Sequence, residues 1–155
     1  MAENYFHRER ARKILNHQEA DRVAMDLGSV NNSTIHIDAY NNLLDYLGID
    51  KKSIEEPILD KSQQVVLNVD HKVLEVLDVD FDALWVNPPD KRYNSWEKED
   101  KWSDEWGIVW RKHKGCYYYD PVPEMAPLRN METIEEIQRY SWPDPDDDGR
   151  YRGLR

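Results

Sequence analysis

Apolar positions recur at helical spacing in three stretches of the chain and bunch into short unbroken runs in two others. In NYFHRERARKILNH, Phe6, Ala11, Ile14 and Leu15 fall near one helical face and basic residues fill the other, which predicts an amphipathic N-terminal helix. The run VAMDLG follows Asp21-Arg22 and stops at Gly28, the pattern of a buried strand over 22–27 that enters the loop GSVNNST. Ser33 or Thr34 then caps a helix whose apolar positions are Ile35, Tyr40, Leu43, Leu44 and Leu47, with Gly48 placed for a left-handed C-terminal cap. Val69, Val73, Leu74 and Leu77 mark a further helical stripe. Phe81, Ala83, Leu84, Trp85 and Val86 read as a second buried strand over 80–86, ended by Asn87 and the Pro88-Pro89 pair.

Beyond a charged surface loop, KRYNSWEKEDK, the spacing falls to two. Trp106, Ile108 and Trp110 alternate with Gly107, Val109 and Arg111, then KHKG turns the chain and CYYYD returns it, which predicts a hairpin over 102–120 with Trp106 and Trp110 on one face. TIEE at 133–136 matches a capping box and opens a short helix through Tyr140. WPDPDDDG is a rigid acidic turn whose aspartates suit the start of one more helix.

Composition narrows what these elements can do. The 155 residues suit one domain with a real core, and six Trp and nine Tyr supply large buried surfaces that disordered chains lack. Thirty-one acidic against 21 basic residues give a formal charge of -10, which disfavours nucleic acid and anionic lipid as partners. The single cysteine, Cys116, cannot form an internal disulfide, the N-terminus lacks the apolar run of a signal peptide, and no stretch has membrane length. The expected compartment is the cytoplasm.

The order RERARKILNHQEADRVAMDLG, AYNNLLDYLGI, VLDVDFDALWV, DEWGIVW, APL and WPDP resembles the N-terminal part of the uroporphyrinogen decarboxylase-like superfamily, and within it the branch of methyl-corrinoid methyltransferases. The resemblance implies an α/β fold, the N-terminal part of a (β/α)8 TIM barrel with a helical N-terminal segment and an inserted aromatic β-hairpin. Such a barrel needs eight strands and roughly 250 residues. Two parallel strands, 22–27 and 80–86, leave open edges, so the chain is expected to be completed by a C-terminal barrel segment or to form a homo-oligomer.

The same resemblance directs attention to particular residues. Decarboxylases of the superfamily carry an Arg-Gln-Ala-Gly-Arg pattern after the first strand, whose arginines bind porphyrin carboxylates; here DLGSVNNSTIH contains no arginine. Asn87 aligns with the aspartate that meets the pyrrole nitrogens in those relatives, and an amide cannot supply that charge. Both departures favour the methyltransferase-like branch, and Asn87 also reads simply as a strand-ending turn residue. Full-length relatives in that branch bind zinc through one His and two thiolates and accept a methyl group from a corrinoid protein, so zinc and a corrinoid partner are implied for them, with the ligands on later strands. No cofactor is expected in this chain itself: His113 and Cys116 give half a tetrahedral site at best and read as a solvated turn.

The substrate-binding candidates are Gly28, His36, Asn87, Trp106 and Tyr119, and no catalytic residue is assigned. Gly28 permits close backbone approach or a tight turn; His36 opens the helix after the first strand and serves either as a substrate contact or as a polar helix-start residue. Trp106 and Tyr119 either pack the hairpin or line a mostly apolar pocket. Asp104 and Glu105 point to opposite faces of a strand and make no carboxylate pair, and the aspartates in 144–148 lack the order of a calcium loop. The leading expectation is therefore a portion, inactive alone, of a methyltransferase-like enzyme acting on a small methylated substrate. The alternatives are a binding or assembly module that self-associates through its aromatic hairpin, and a porphyrin decarboxylase.

Overall fold

The structure, a computed structural model, describes residues 6–98 and 100–154. The chain divides into two compact units, Met1–Leu84 and Trp85–Arg155.

The first unit carries three helices: α1 His7–Leu15, α2 Ile37–Leu47 and α3 His71–Val76. Its core is Tyr40 and Leu44 from α2, Val73 from α3 and Val66 from the segment between them, with Leu27, Ile35, Leu47 and Leu77 packed around. Complete burial of such side chains stabilises by about 2 kcal/mol each. The helices are placed by short polar side chains. His36 Nδ1 accepts the Asp38 N–H at the start of α2, and Gly48 ends that helix at φ 68°. Asp70 accepts the Lys72 N–H at the start of α3 and donates its own N–H to the buried Tyr40 hydroxyl at 3.1 Å, tying the cap of one helix to the core of the other. Between them, isolated bridges pair His36 with Val65 and Leu59 with Val66.

The second unit is built on an antiparallel meander, β1 Trp96–Lys98, β2 Lys101–Ser103, β3 Val109–Lys112 and β4 Tyr119–Pro121, in sheet order β1-β2-β3-β4. Trp102 faces Trp110 across β2 and β3, and Lys112 faces Tyr119 across β3 and β4. Past it comes α4 Ile134–Arg139, opened by the capping box that TIEE predicts: Thr133 Oγ1 accepts the Glu136 N–H and the Glu136 carboxylate accepts the Thr133 N–H. A 3₁₀ turn, Asp148–Tyr151, is capped by Asp147 and stands where a last helix was expected.

The barrel expectation is overturned. The described residues form four α-helices and one four-stranded antiparallel sheet, with every strand inside 96–121. Neither 22–27 nor 80–86 is a strand. The reason is visible in what their backbone groups bond to. The Met25 N–H goes to the Asp80 carboxylate and the Val23 carbonyl to the Arg22 guanidinium, so side chains occupy groups that a ladder would use. The Asp80 N–H bonds the Met25 carbonyl at 2.8 Å between the two segments. Val23, Leu84 and Val86 are exposed, so the apolar runs are not buried between layers as parallel strands would be.

Two further expectations change. The hairpin expected over 102–120 is three strands, β2 to β4, of the four-stranded meander, and Trp106 stands in a turn before β3. In α1 the buried residue is Arg10, whereas Phe6 and Leu15 of the anticipated apolar face are exposed. Among the described residues no helix is long and apolar enough to cross a membrane.

Candidate functional site

The densest polar assembly in the first unit gathers Arg10 from α1, Asp21 and Arg22 from the bend after it, and Asp78 and Asp80 from the segment after α3. Arg10 is 2% exposed. Its Nε and Nη2 reach the two carboxylate oxygens of Asp21, both at 2.7 Å, in a fork that matches guanidinium to carboxylate geometry, and its Nη1 bonds Asp80. The Asp80 side chain is fully buried and also receives Arg22 Nη1 at 2.6 Å, the Met25 N–H at 2.8 Å and the His7 ring at 2.8 Å. Burial alone would push the Asp80 carboxyl up, but the Met25 N–H with the His7, Arg10 and Arg22 bonds outweighs it and brings the pKa down to about 2. Its own bonds, to Asp21 first and then to Asp80, raise Arg10 against its desolvation. Ion pairs so deeply buried stabilise only when their remaining polar groups are satisfied, and here Asp80 is bonded through both oxygens.

Gly28 and His36 belong to this unit but not to that assembly. Gly28 adopts φ 97°, donates its N–H to Ser33, and approaches Val69 so closely that a Cβ would stand 2.8 Å from Val69 Cγ2. Its lack of a side chain is thus used for packing inside the unit. His36 is engaged as the N-cap of α2.

In the second unit Asn87 is a clamp: its N–H reaches the Arg150 carbonyl at 3.0 Å and its side-chain amide the Arg152 carbonyl at 2.6 Å. Tyr119 and Trp106 lie in different aromatic groups. Trp102 stacks on Trp110 with centroids 5.8 Å apart, Tyr119 meets Trp102 edge-on at 6.1 Å, and Lys112 lies over Tyr119. Trp106 instead meets Trp142 at 6.4 Å, and Trp142 meets Tyr140 at 5.0 Å, with planes inclined by 62° and 70°.

The loop that carries Trp106 is organised by Asp104. One carboxylate oxygen accepts the Trp106 and Ile108 N–H groups at 3.0 and 2.9 Å, and the other accepts Trp110 Nε1 at 3.0 Å. Gly107 turns the chain at φ 78°, and a Cβ there would lie 2.2 Å from the Tyr140 hydroxyl, which donates to the Trp106 carbonyl at 2.7 Å. Burial, then the nearby Asp104 charge, raises the Tyr140 hydroxyl.

No family model, curated protein or solved structure matches the chain.

Among the described residues no three His, Cys, Asp or Glu side chains are grouped to hold an ion, and the His113 to Cys116 stretch is a turn closed by the Cys116 N–H on the His113 carbonyl. The resemblance puts the zinc ligands on later strands, and His113 with Cys116 supplies no such set here. Sequence reasoning missed the Arg10, Asp21, Arg22 and Asp80 assembly as well as Tyr140 and Trp142. The available signal was charge placed against apolar runs, Asp21-Arg22 before VAM and Asp78 and Asp80 astride Val79.

Proposed function

We propose that this chain supplies one wall of a substrate cleft in a methyltransferase-like enzyme of the uroporphyrinogen decarboxylase superfamily, acting on a small methylated substrate, and that it is inactive alone. The observation that supports the reading is the joining of two of the stretches that carry the resemblance. RERARKILNHQEADRVAMDLG contributes Arg10, Asp21 and Arg22, VLDVDFDALWV contributes Asp78 and Asp80, and their side chains bond across 56 to 70 positions of sequence. A satisfied buried network of this kind fixes one arrangement of the segments that contribute to it. The reacting groups come from other polypeptide, because His36 and Asn87 are already engaged in a helix cap and a backbone clamp. In the relatives that the sequence resembles, zinc activates a thiol and a corrinoid protein delivers the methyl group.

The test is methyl transfer from methylcobalamin to a free thiol. The 155-residue chain alone should give no turnover, and adding a polypeptide that carries the zinc-ligating half of such an enzyme should produce it. Turnover by the chain alone, or none on complementation, overturns the reading.

A second reading, self-association through the hairpin, has its own observation: Tyr117 and Tyr118, just before β4, are exposed. Sedimentation at micromolar concentration decides it, with a persistent monomer counting against.

A further inference from the structure

The second unit uses its aromatic rings in two ways. Along the sheet they are covered from within: Lys98 lies 5.6 Å from the Trp96 ring centroid, Lys112 lies 5.7 Å from that of Tyr119, and Lys91 likewise sits 5.0 Å over Tyr93. The Trp106, Tyr140 and Trp142 group differs. Among the described residues no lysine or arginine lies over these rings, and Trp106 and Trp142 stay 47% and 42% exposed.

Parts of this group are nevertheless tethered. Trp142 Nε1 donates to the Ile137 carbonyl at 2.8 Å, the Tyr140 hydroxyl to the Trp106 carbonyl, and the Trp106 N–H to Asp104. The Trp142 ring and the Tyr140 hydroxyl are held directly and Trp106 through its backbone, so a ligand would meet two rings that lose little freedom on binding. The rings meet edge to face, at 62° and 70°, and leave their outer faces to solvent at Trp106 and Trp142. Ring faces carry negative potential and attract cations, most strongly for tryptophan, and a cation whose charge is sheathed in methyl groups gives up little hydration to sit against them. Asp104 organises the Trp106 loop and Asp144 and Asp146 stand two and four positions after Trp142, while Arg150 answers Glu105 beside Trp106 and donates to the Asp144 carbonyl.

We propose that Trp106, Tyr140 and Trp142 form a binding site for a small quaternary ammonium ion. The site stands independently of the methyl-transfer reading, since it calls for binding and no chemistry.

The experiment titrates the full chain with tetramethylammonium and with choline and follows the indole N–H signals of Trp106 and Trp142 by NMR. The control ligand is 3,3-dimethyl-1-butanol, the neutral isostere of choline. Saturable shifts at these two indoles are expected for the cations, with the isostere weaker by about fivefold or more. Trp106→Ala should abolish the shift at the Trp142 indole, and Trp142→Leu the shift at the Trp106 indole, while the remaining amide signals keep their dispersion. Because Trp142→Leu also removes a bond to α4, Trp106→Leu, which keeps the Asp104-bonded backbone, is the milder second variant. Equal binding of the neutral isostere, no saturable shift up to tens of millimolar, or undiminished shifts in Trp106→Leu would each overturn the assignment.

Discussion

The two units hold themselves together by opposite means. The first buries an aliphatic core around Tyr40 and, apart from it, a guanidinium locked among carboxylates. The second buries few apolar side chains, Val109 among them, and relies on stacked indoles, a short meander, one aspartate that organises a turn and a less deeply buried Arg150–Glu105 pair. The contrast teaches where each unit is fragile. Removing a charge from a buried pair leaves its partner desolvated and uncompensated, whereas a tight turn fails when a side chain is added to it.

The largest break is expected at Asp80. Asp80→Asn removes the charge that answers Arg10 and Arg22, and should lower the stability of the first unit by about 3 kcal/mol or more, read by urea denaturation. Little change in the midpoint would show that Asp21 suffices for Arg10. Acid should do reversibly, and to a smaller extent, what that substitution does permanently. The folded pKa of Asp80 is depressed from 3.8 to about 2, so its contribution is complete above pH 4 and is lost as pH falls from about 4 through 2. Glu136 and Asp147 in the second unit are also depressed, by backbone N–H bonds first, but they are solvent-screened. Amide signals near Arg10 should therefore respond to acid before those of β2 and β3; simultaneous loss would remove the contrast.

Next in size is the turn of the second unit. Gly107→Ala places a methyl group against the Tyr140 hydroxyl at a left-handed φ and should cost about 2 kcal/mol. Adding Tyr140→Phe should recover part of that loss in a double-mutant cycle, because the hydroxyl is the atom in the way. Strict additivity would place the strain in the backbone alone. Smallest is Thr133→Ala, which removes the cap of α4 and should cost about 1 kcal/mol, seen as earlier amide exchange over 134–139.

How far these arrangements could be read from sequence follows from the range of the interactions. The Gly48 cap, the Thr133 and Glu136 box and the helical stripe through Val73 are set by residues within a few positions of each other, and each was legible. Arg10 was not. On its helix it sits among other basic residues, and what distinguishes it are partners 11 and 70 positions away. The runs at 22–27 and 80–86 look like strands because their apolar content is strand-like, but nothing within them reveals that Arg22 and Asp80 occupy their backbone groups.

The aromatic alternation misled for a local reason. Period two continues through Trp106, yet Asp104 captures the two N–H groups that a strand would offer its neighbour, and Gly107 reverses the chain. Of the candidate site residues, Trp106 lies with the Tyr140 and Trp142 rings, while Tyr119 lies in the stack on the sheet. Period-two spacing had put Trp106 on the face of Trp110; the rings it meets come from 34 and 36 positions further on, beyond the reach of any short pattern.

Cys116 is the one thiol of the chain and it stands exposed at the bend between β3 and β4. Air oxidation can join two molecules there tip to tip, so sedimentation must be run under a reductant if a covalent pair is not to be mistaken for association through tyrosine rings. The same placement makes it a unique handle: a maleimide spin label at Cys116 marks one known point of the sheet without any engineered substitution.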